Sequence, residues 1–222
     1  IYNHGELRRD LAATRLRGTS DTEVMLACFD RDGVAATLPR LIGMLALAVY
    51  DTRTRELTLA RDRFGEKPLY WGQQGDSVVF GSELKAVCVH PAFTPTVDRG
   101  ALVQYLRHGW VPAPRSIYVG IGKLPAGTSV TIDLANGRVG EPVAYYDLRA
   151  VAMRGLANPL RVDAGEAADR VEAALTTAVR RQMVADVPLG AFLSGGIDSS
   201  TVVALMQACA TRPVHTYCIG FA

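Results

Sequence analysis

No stretch of this 222-residue chain approaches the roughly 20 consecutive apolar residues of a membrane span, and no apolar run resembling a signal peptide opens it. Charge of one sign is also missing: 24 Lys and Arg stand against 22 Asp and Glu. The net charge is +2 with both signs interspersed, so no basic face points to nucleic acid or an anionic membrane. Cysteine is scarce. Cys28, Cys88, Cys209 and Cys218 lie singly, without metal-ligand spacing, and are expected to be buried structural thiols of a reducing, cytoplasmic protein. Internal repeats and low-complexity tracts are absent. An initiator methionine is absent too: the chain opens at Ile1 inside an apparent strand and stops at Ala222 just after another. The expectation is a piece of a longer protein. What remains is 49% hydrophobic and 21% charged, the make-up of a globular chain with one large domain or two small ones.

The most informative stretch is S-G-G-I-D-S-S at residues 194–200, directly behind the apolar run A-F-L. A short strand feeds a glycine pair, and a helix (T-V-V-A-L-M) follows with Ser, Asp and Ser in its opening turn. Gly195 and Gly196 permit backbone angles closed to other residues and a close main-chain approach to a ligand. The free N–H groups and positive dipole end of the helix face the same point, which suits an oxyanion. Ser194, Ser199 and Ser200 add hydroxyl donors, and Asp198 suits a magnesium ion shared with phosphates. A bland strand-to-helix turn with a Ser or Asp cap would need only one or two of these residues. The Walker type is excluded, because no Lys-Ser or Lys-Thr pair follows the glycines.

Along the chain, Ser20 and Glu23 read as a capping box for a helix running to about Asp30 and ending near Gly33. Residues 41–50 are too apolar for a half-exposed strand and read as one buried on both faces. Further strands are expected at 56–61, 69–72 and 77–81, then a short helix from Ser82. Asp98 caps a helix from Arg99 to about His108. Strands follow at 129–134 and 143–147, joined by an Asn136-Gly137 hairpin turn. Residues 149–163 have weak periodicity with Gly155, Asn158 and Pro159, and read as a linker. Beyond it, Ala167, Val171, Ala174, Leu175, Ala178 and Val179 mark an amphipathic helix. Residues 214–219 form a second strand after the loop's helix, the start of a parallel α/β unit.

The loop matches the S-G-G-x-D-S-S sequence of the ATP pyrophosphatases, which cleave ATP to AMP and pyrophosphate. I-Y-N at the start, T-S-D-T-E-V, G-M, R-D-R-F-G-E-K-P-L-Y, S-E-L-K-A and D-V-P-L-G lead to it in order. Together they resemble the glutamine-hydrolysing asparagine synthetases over nearly the whole chain. The resemblance implies an α+β N-terminal-nucleophile hydrolase-like glutaminase domain of stacked antiparallel sheets, incomplete, at residues 1–148. A linker at 149–163 and the start of an α/β adenine nucleotide alpha hydrolase-like parallel-sheet domain at 164–222 follow.

The activity implied is that of a carbon–nitrogen ligase in asparagine and amino-acid biosynthesis. Glutamine supplies ammonia, and ATP with Mg2+ activates the aspartate β-carboxylate, or another carboxylate, as an adenylate. A homodimer of the full-length protein belongs to the same expectation. Carried over residue by residue, Asp21 matches the aspartate that binds the glutamine α-ammonium. Leu193, Ser194, Gly195, Gly196, Asp198, Ser199 and Ser200 match the ATP and pyrophosphate contacts, Ile219 stands against adenine, and Asp198 is the metal residue. For Asp21 the bland alternative is a helix-dipole partner, and for Ile219 an ordinary core residue. Lys67 and Lys85 are expected in solvated or structural roles, and Tyr2, Asn3 and Glu83 in support of the fold. No catalytic residue is assigned, since the cysteine nucleophile would lie upstream of Ile1. The chain by itself is therefore expected to hydrolyse no glutamine, to form no amide and to bind ATP weakly. Two alternatives remain: a β-lactam synthetase-like ring closure without glutaminase activity, and a non-catalytic nucleotide-binding relative.

Overall fold

A computed structural model describes residues 1–12 and 14–220. Two compact units divide between Gly155 and Leu156. The first begins with α1 (His4–Asp10), α2 (Asp21–Asp32) and α3 (Val34–Thr37). Strands β1 (Ala46–Asp51), β2 (Glu56–Arg61), β3 (Tyr70–Gln74) and β4 (Ser77–Gly81) follow, then α4 (Leu84–Cys88) and α5 (Arg99–His108). Strands β5 (Gly122–Lys123), β6 (Thr128–Asp133), β7 (Arg138–Val139) and β8 (Val143–Ala144) complete it, and helix α6 (Leu148–Ala157) runs across the division. The second unit holds α7 (Ala164–Gln182), β9 (Gly190–Phe192), α8 (Ile197–Cys209) and β10 (His215–Tyr217).

The first unit is α+β with antiparallel sheets. One sheet has the order β1-β2-β6-β7, with β8 also on β6; the other is β4-β3-β5. Strand alternation sends neighbouring side chains to opposite faces and so defines the layers. Leu59 of β2 with Val130 and Ile132 of β6 meets Leu69, Trp71 and Val78 from the second sheet, so the two sheets stack through one apolar core. On the far side of the first sheet, Ala60, Leu47 and Val49 join Leu7, Val24, Cys28 and Phe29 of α1 and α2. On the far side of the second, Val79 and Tyr70 pack with Leu84 and Val87 of α4 and with Phe93 and Tyr118. Helices, sheet, sheet and helix thus form four layers.

Most local expectations match the elements observed, and the departures have local causes. The chain opens in a turn followed by α1, not a strand. The strand expected over 41–50 is regular only from Ala46, because Gly43 takes φ +149° ahead of it. It is half-buried: Leu47 and Val49 pack toward α1 and α2 and Ala46 toward the core between the sheets, while Ala48 and Tyr50 stay exposed. The capping box is half made. Ser20 Oγ accepts from Glu23 N at 3.2 Å, but the Glu23 carboxylate takes the amides of Arg17 and Gly18 at 2.6 and 2.8 Å. Residues 149–163 include α6, whose side chains stay exposed, which explains the weak apolar periodicity. Burial of all four thiols is also corrected: Cys28 is buried, Cys88 and Cys209 are half-buried, and Cys218 is exposed.

In the second unit β9 and β10 run parallel, in register from Gly190 opposite His215 to Phe192 opposite Tyr217. Helix α8 makes the crossover, and Gln207 closes its exit by accepting from Val214 N and donating to Arg212 O. Among the described residues of this unit only Met206 is a buried hydrophobic.

Candidate functional site

Two sites emerge, one in each unit. The first is built around Asp21, the first residue of α2. Its carboxylate lies against the main-chain nitrogen of Ile1. Beside the pair lies a cavity of about 280 Å³ whose lining includes Ile1, Asp21, Met25, Met44, Lys67 and Ser82. All of these but Met25 come from five of the short sequence strings quoted above: I-Y-N, T-S-D-T-E-V, G-M, R-D-R-F-G-E-K-P-L-Y and S-E-L-K-A. Strings that are weak one by one therefore meet on a single surface.

The wall of this cavity is held by polar bonds. Asn3 is buried, donates from Nδ2 to Arg40 O at 2.9 Å and accepts from Ile42 N at 3.0 Å, which ties the opening turn to the segment before β1. Asp62 is 1% exposed. Its carboxylate accepts the amides of Phe64, Glu66 and Lys67 at 3.1, 2.9 and 2.9 Å, and that of Leu45 at 3.3 Å. Arg61 donates to the carbonyls of Gly65, Lys67 and Leu124 at 2.5, 2.7 and 2.9 Å. Gly65 sits at φ +68°, and a Cβ there would lie 3.0 Å from the Arg61 guanidinium carbon, so glycine answers both strain and space. Tyr145 donates to Arg61 O at 2.6 Å, and burial, with the Asp62 charge, pushes its phenol up to about 12.

The structure supports a fold role for Asn3, as expected, and Lys85 is a solvated partner of Glu83 at 2.6 Å. Lys67 is different. Its backbone is structural, yet the residue also lines the Asp21 cavity, as do Met44 and Ser82, which sequence reasoning did not single out. The only signal available was membership of the quoted strings.

The second site is the 194–200 loop. It leaves β9 at the end whose next residue, Leu193, donates its amide to Tyr217 O at 2.8 Å, so only the Leu193 carbonyl is left for a ligand. Gly195 takes φ +80° with open space where a Cβ would stand, so the glycine is required by backbone angle alone. Ser194 Oγ and Ser199 Oγ lie 3.1 Å apart, and Ser199 also donates to Gly196 O at 3.1 Å. Helices α2, α5 and α7 are each capped by the side chain before them (Ser20, Asp98 and Asp163). Helix α8, with Gly196 as its N-cap, has no side-chain cap, like the short helices α1, α3 and α4, so its first amides stay open beside these hydroxyls. Asp198 is exposed in the first turn and Ser200 in the second position after it. Ile219 follows β10 and is exposed in this chain. Among the described residues no group of three His, Cys, Asp or Glu side chains forms a self-standing metal site. A magnesium ion carried in on phosphates asks for only one or two carboxylates, and Asp198 fits that demand.

Comparison with known families resolves which chemistry these sites resemble. The glutamine amidotransferase domain family matches residues 1–145. The chain belongs to it. The asparagine synthase family matches residues 170–222, which contain the loop. A Methanocaldococcus jannaschii protein, provisionally named asparagine synthetase (glutamine-hydrolyzing) 2, is 33% identical over 224 residues, 100% of this chain and 42% of its own length. Asparagine synthetase (glutamine-hydrolyzing) 3 of Bacillus subtilis is 31% identical over 228 residues, 100% of this chain and 35% of its own length. The amidotransferase chain thus spans well under half the length of these curated relatives. A solved structure, the glutamine phosphoribosylpyrophosphate amidotransferase of B. subtilis with ADP and GMP, is 15% identical with a TM-score of 0.45, covering 98% of this chain and 43% of its own.

Proposed function

We propose that this chain serves a glutamine-dependent, ATP-dependent amide-forming ligase that makes asparagine from aspartate through a β-aspartyl-AMP intermediate. The observation that carries the reading is an S-G-G-I-D-S-S loop, set at a parallel strand–helix junction with an uncapped helix, behind an amidotransferase domain. Adenylation turns an unreactive carboxylate into an electrophile, and neutral ammonia released from glutamine is the nucleophile.

In this reading Asp21, which lines the first cavity, pairs with the glutamine α-ammonium. The open amides at the start of α8 and the hydroxyls of Ser194, Ser199 and Ser200 hold the pyrophosphate end of ATP. Gly195 and Gly196 let the backbone approach, and Asp198 holds the Mg2+ that the phosphates bring. The Leu193 carbonyl and the exposed Ile219 flank the nucleotide base. When bound, the ion neutralises phosphate charge as the α-phosphorus is attacked. The reaction needs no membrane and no nucleic acid, fits a cytoplasmic protein, and leaves a homodimer as the oligomer to test.

The experiment is a glutamine-dependent assay of AMP and pyrophosphate release with aspartate as acceptor, in the full-length protein that contains this chain, as wild type and as Asp198→Asn. Aspartate-dependent AMP release, lost in the variant, is the expected result. Unchanged turnover in the variant would overturn the role given to the loop.

A further inference from the structure

A second cavity in the amidotransferase unit, of about 440 Å³, lies away from the residues around Asp21 and has a different character. That size is within the ~300–1,000 Å³ usual for small-molecule pockets. Its walls are mostly apolar and aromatic, with Tyr70, Leu84, Tyr105, Trp110 and Ile117 among them, and one cation, Lys123, stands in it. Each part is placed by a separate element. Tyr70 and Lys123 are paired residues of β3 and β5. Tyr105 stands on the last turns of α5, and Trp110 follows directly after the helix ends at Gly109.

The Lys123 ammonium is half-buried and incompletely matched. It donates to Val111 O at 2.5 Å and lies 5.9 and 6.0 Å from the ring centroids of Tyr70 and Trp110. Among the described residues no carboxylate lies within ion-pair distance of it. A second cation, Arg61, acts on it electrostatically, and its guanidinium is already engaged by the carbonyls of Gly65, Lys67 and Leu124. Burial, reinforced by Arg61, pushes the lysine below its ordinary range. A half-buried ammonium bonded to one neutral carbonyl favours an arriving anion, which would supply a charge-assisted hydrogen bond.

We propose that the cavity beside Lys123 binds a small planar carboxylate, an aromatic acid whose ring lies among Tyr70, Tyr105 and Trp110 while its carboxylate meets the ammonium. The single cation and the apolar walls favour a monoanion with a flat hydrophobic body over a phosphate, which would bring more charge than one ammonium answers. Exposed Tyr105 and Trp110 leave the mouth open to a ligand from solvent; they are 50% and 58% accessible.

The test is calorimetric titration of the chain with benzoate, benzamide and acetate, with Trp110 fluorescence as a second readout. Benzoate is expected to bind saturably and at least tenfold more tightly than either of the others, the first comparison isolating the charge and the second the ring. Lys123→Met should bind benzoate no better than benzamide. Tyr105→Ala, which leaves the ammonium and its bond to Val111 in place, should weaken benzoate several-fold and should be checked by circular dichroism for native structure. Absence of saturable benzoate binding, or benzamide equal to benzoate in the unaltered chain, would overturn the proposal. Should Lys123→Met fail to fold, those wild-type comparisons and Tyr105→Ala still decide it.

Discussion

Replacing Asp62 with Asn changes one heavy atom of a side chain that is 1% exposed, and it should be among the most damaging single substitutions in the amidotransferase unit. The carboxylate accepts four backbone amides. One oxygen takes Phe64 and Glu66, and the other takes Lys67 and Leu45. An asparagine can serve only one of these pairs. Its NH2 group must then face two N–H donors, and flipping the amide merely exchanges which pair is lost. An amide bonded to a carboxylate contributes about 1.5–3 kcal/mol, and a buried donor left unpaired costs about 1–3 kcal/mol. The bond from Leu45 is long at 3.3 Å, and Glu66 and Lys67 are themselves exposed, so water recovers part of the loss. The expected destabilisation is about 2–4 kcal/mol for Asp62→Asn. Asp62→Ala, which leaves all four amides without an acceptor, should lose about 3–5 kcal/mol. Urea unfolding followed by tryptophan fluorescence suits the measurement, because Trp71 and Trp110 both belong to the first unit. An Asp62→Asn chain within about 1 kcal/mol of wild type would refute the reasoning, since one oxygen would then suffice for all four donors.

Two further outcomes rest on separate features. Tyr145, pushed up to about 12, stabilises the fold fully below the unfolded tyrosine pKa of about 10, and that contribution falls away as pH rises toward the folded value. Absorbance titration should show one late tyrosine that Tyr145→Phe removes, and the variant should lose about 1 kcal/mol with its bond to Arg61 O. In native-state hydrogen exchange, α7, α8, β9 and β10 should exchange well before β2 and β6, because only Met206 is a buried hydrophobic there while β2 and β6 line two apolar cores. Equal protection would show that this unit is held by something other than apolar burial.

Local chemistry was legible in the sequence wherever a residue acts on its own few neighbours. Asp98 caps α5 through the amides of Gly100 and Ala101, and Ser77–Gly81 pairs where its alternation put it. The loop at 194–200 was legible for the same reason, since glycine freedom, hydroxyls and a helix start all lie within seven residues. What the sequence concealed are the long-range choices. Glu23 had two sets of amides within reach and took those of Arg17 and Gly18, a loop geometry no i to i+3 rule contains. The apolar run before Tyr50 suggested burial on both faces, yet β1 is an edge strand, and edge position is decided by what pairs elsewhere. Lys67 shows the limit most clearly. Its spacing within R-D-R-F-G-E-K-P marks a turn, and that turn exists because Asp62 gathers its amides; only the fold of the whole first unit carries the turn to the cavity of Asp21. Asp62, buried and charged in a strand-to-turn junction, is therefore the residue through which a local string becomes part of a site, and its substitution should loosen both together.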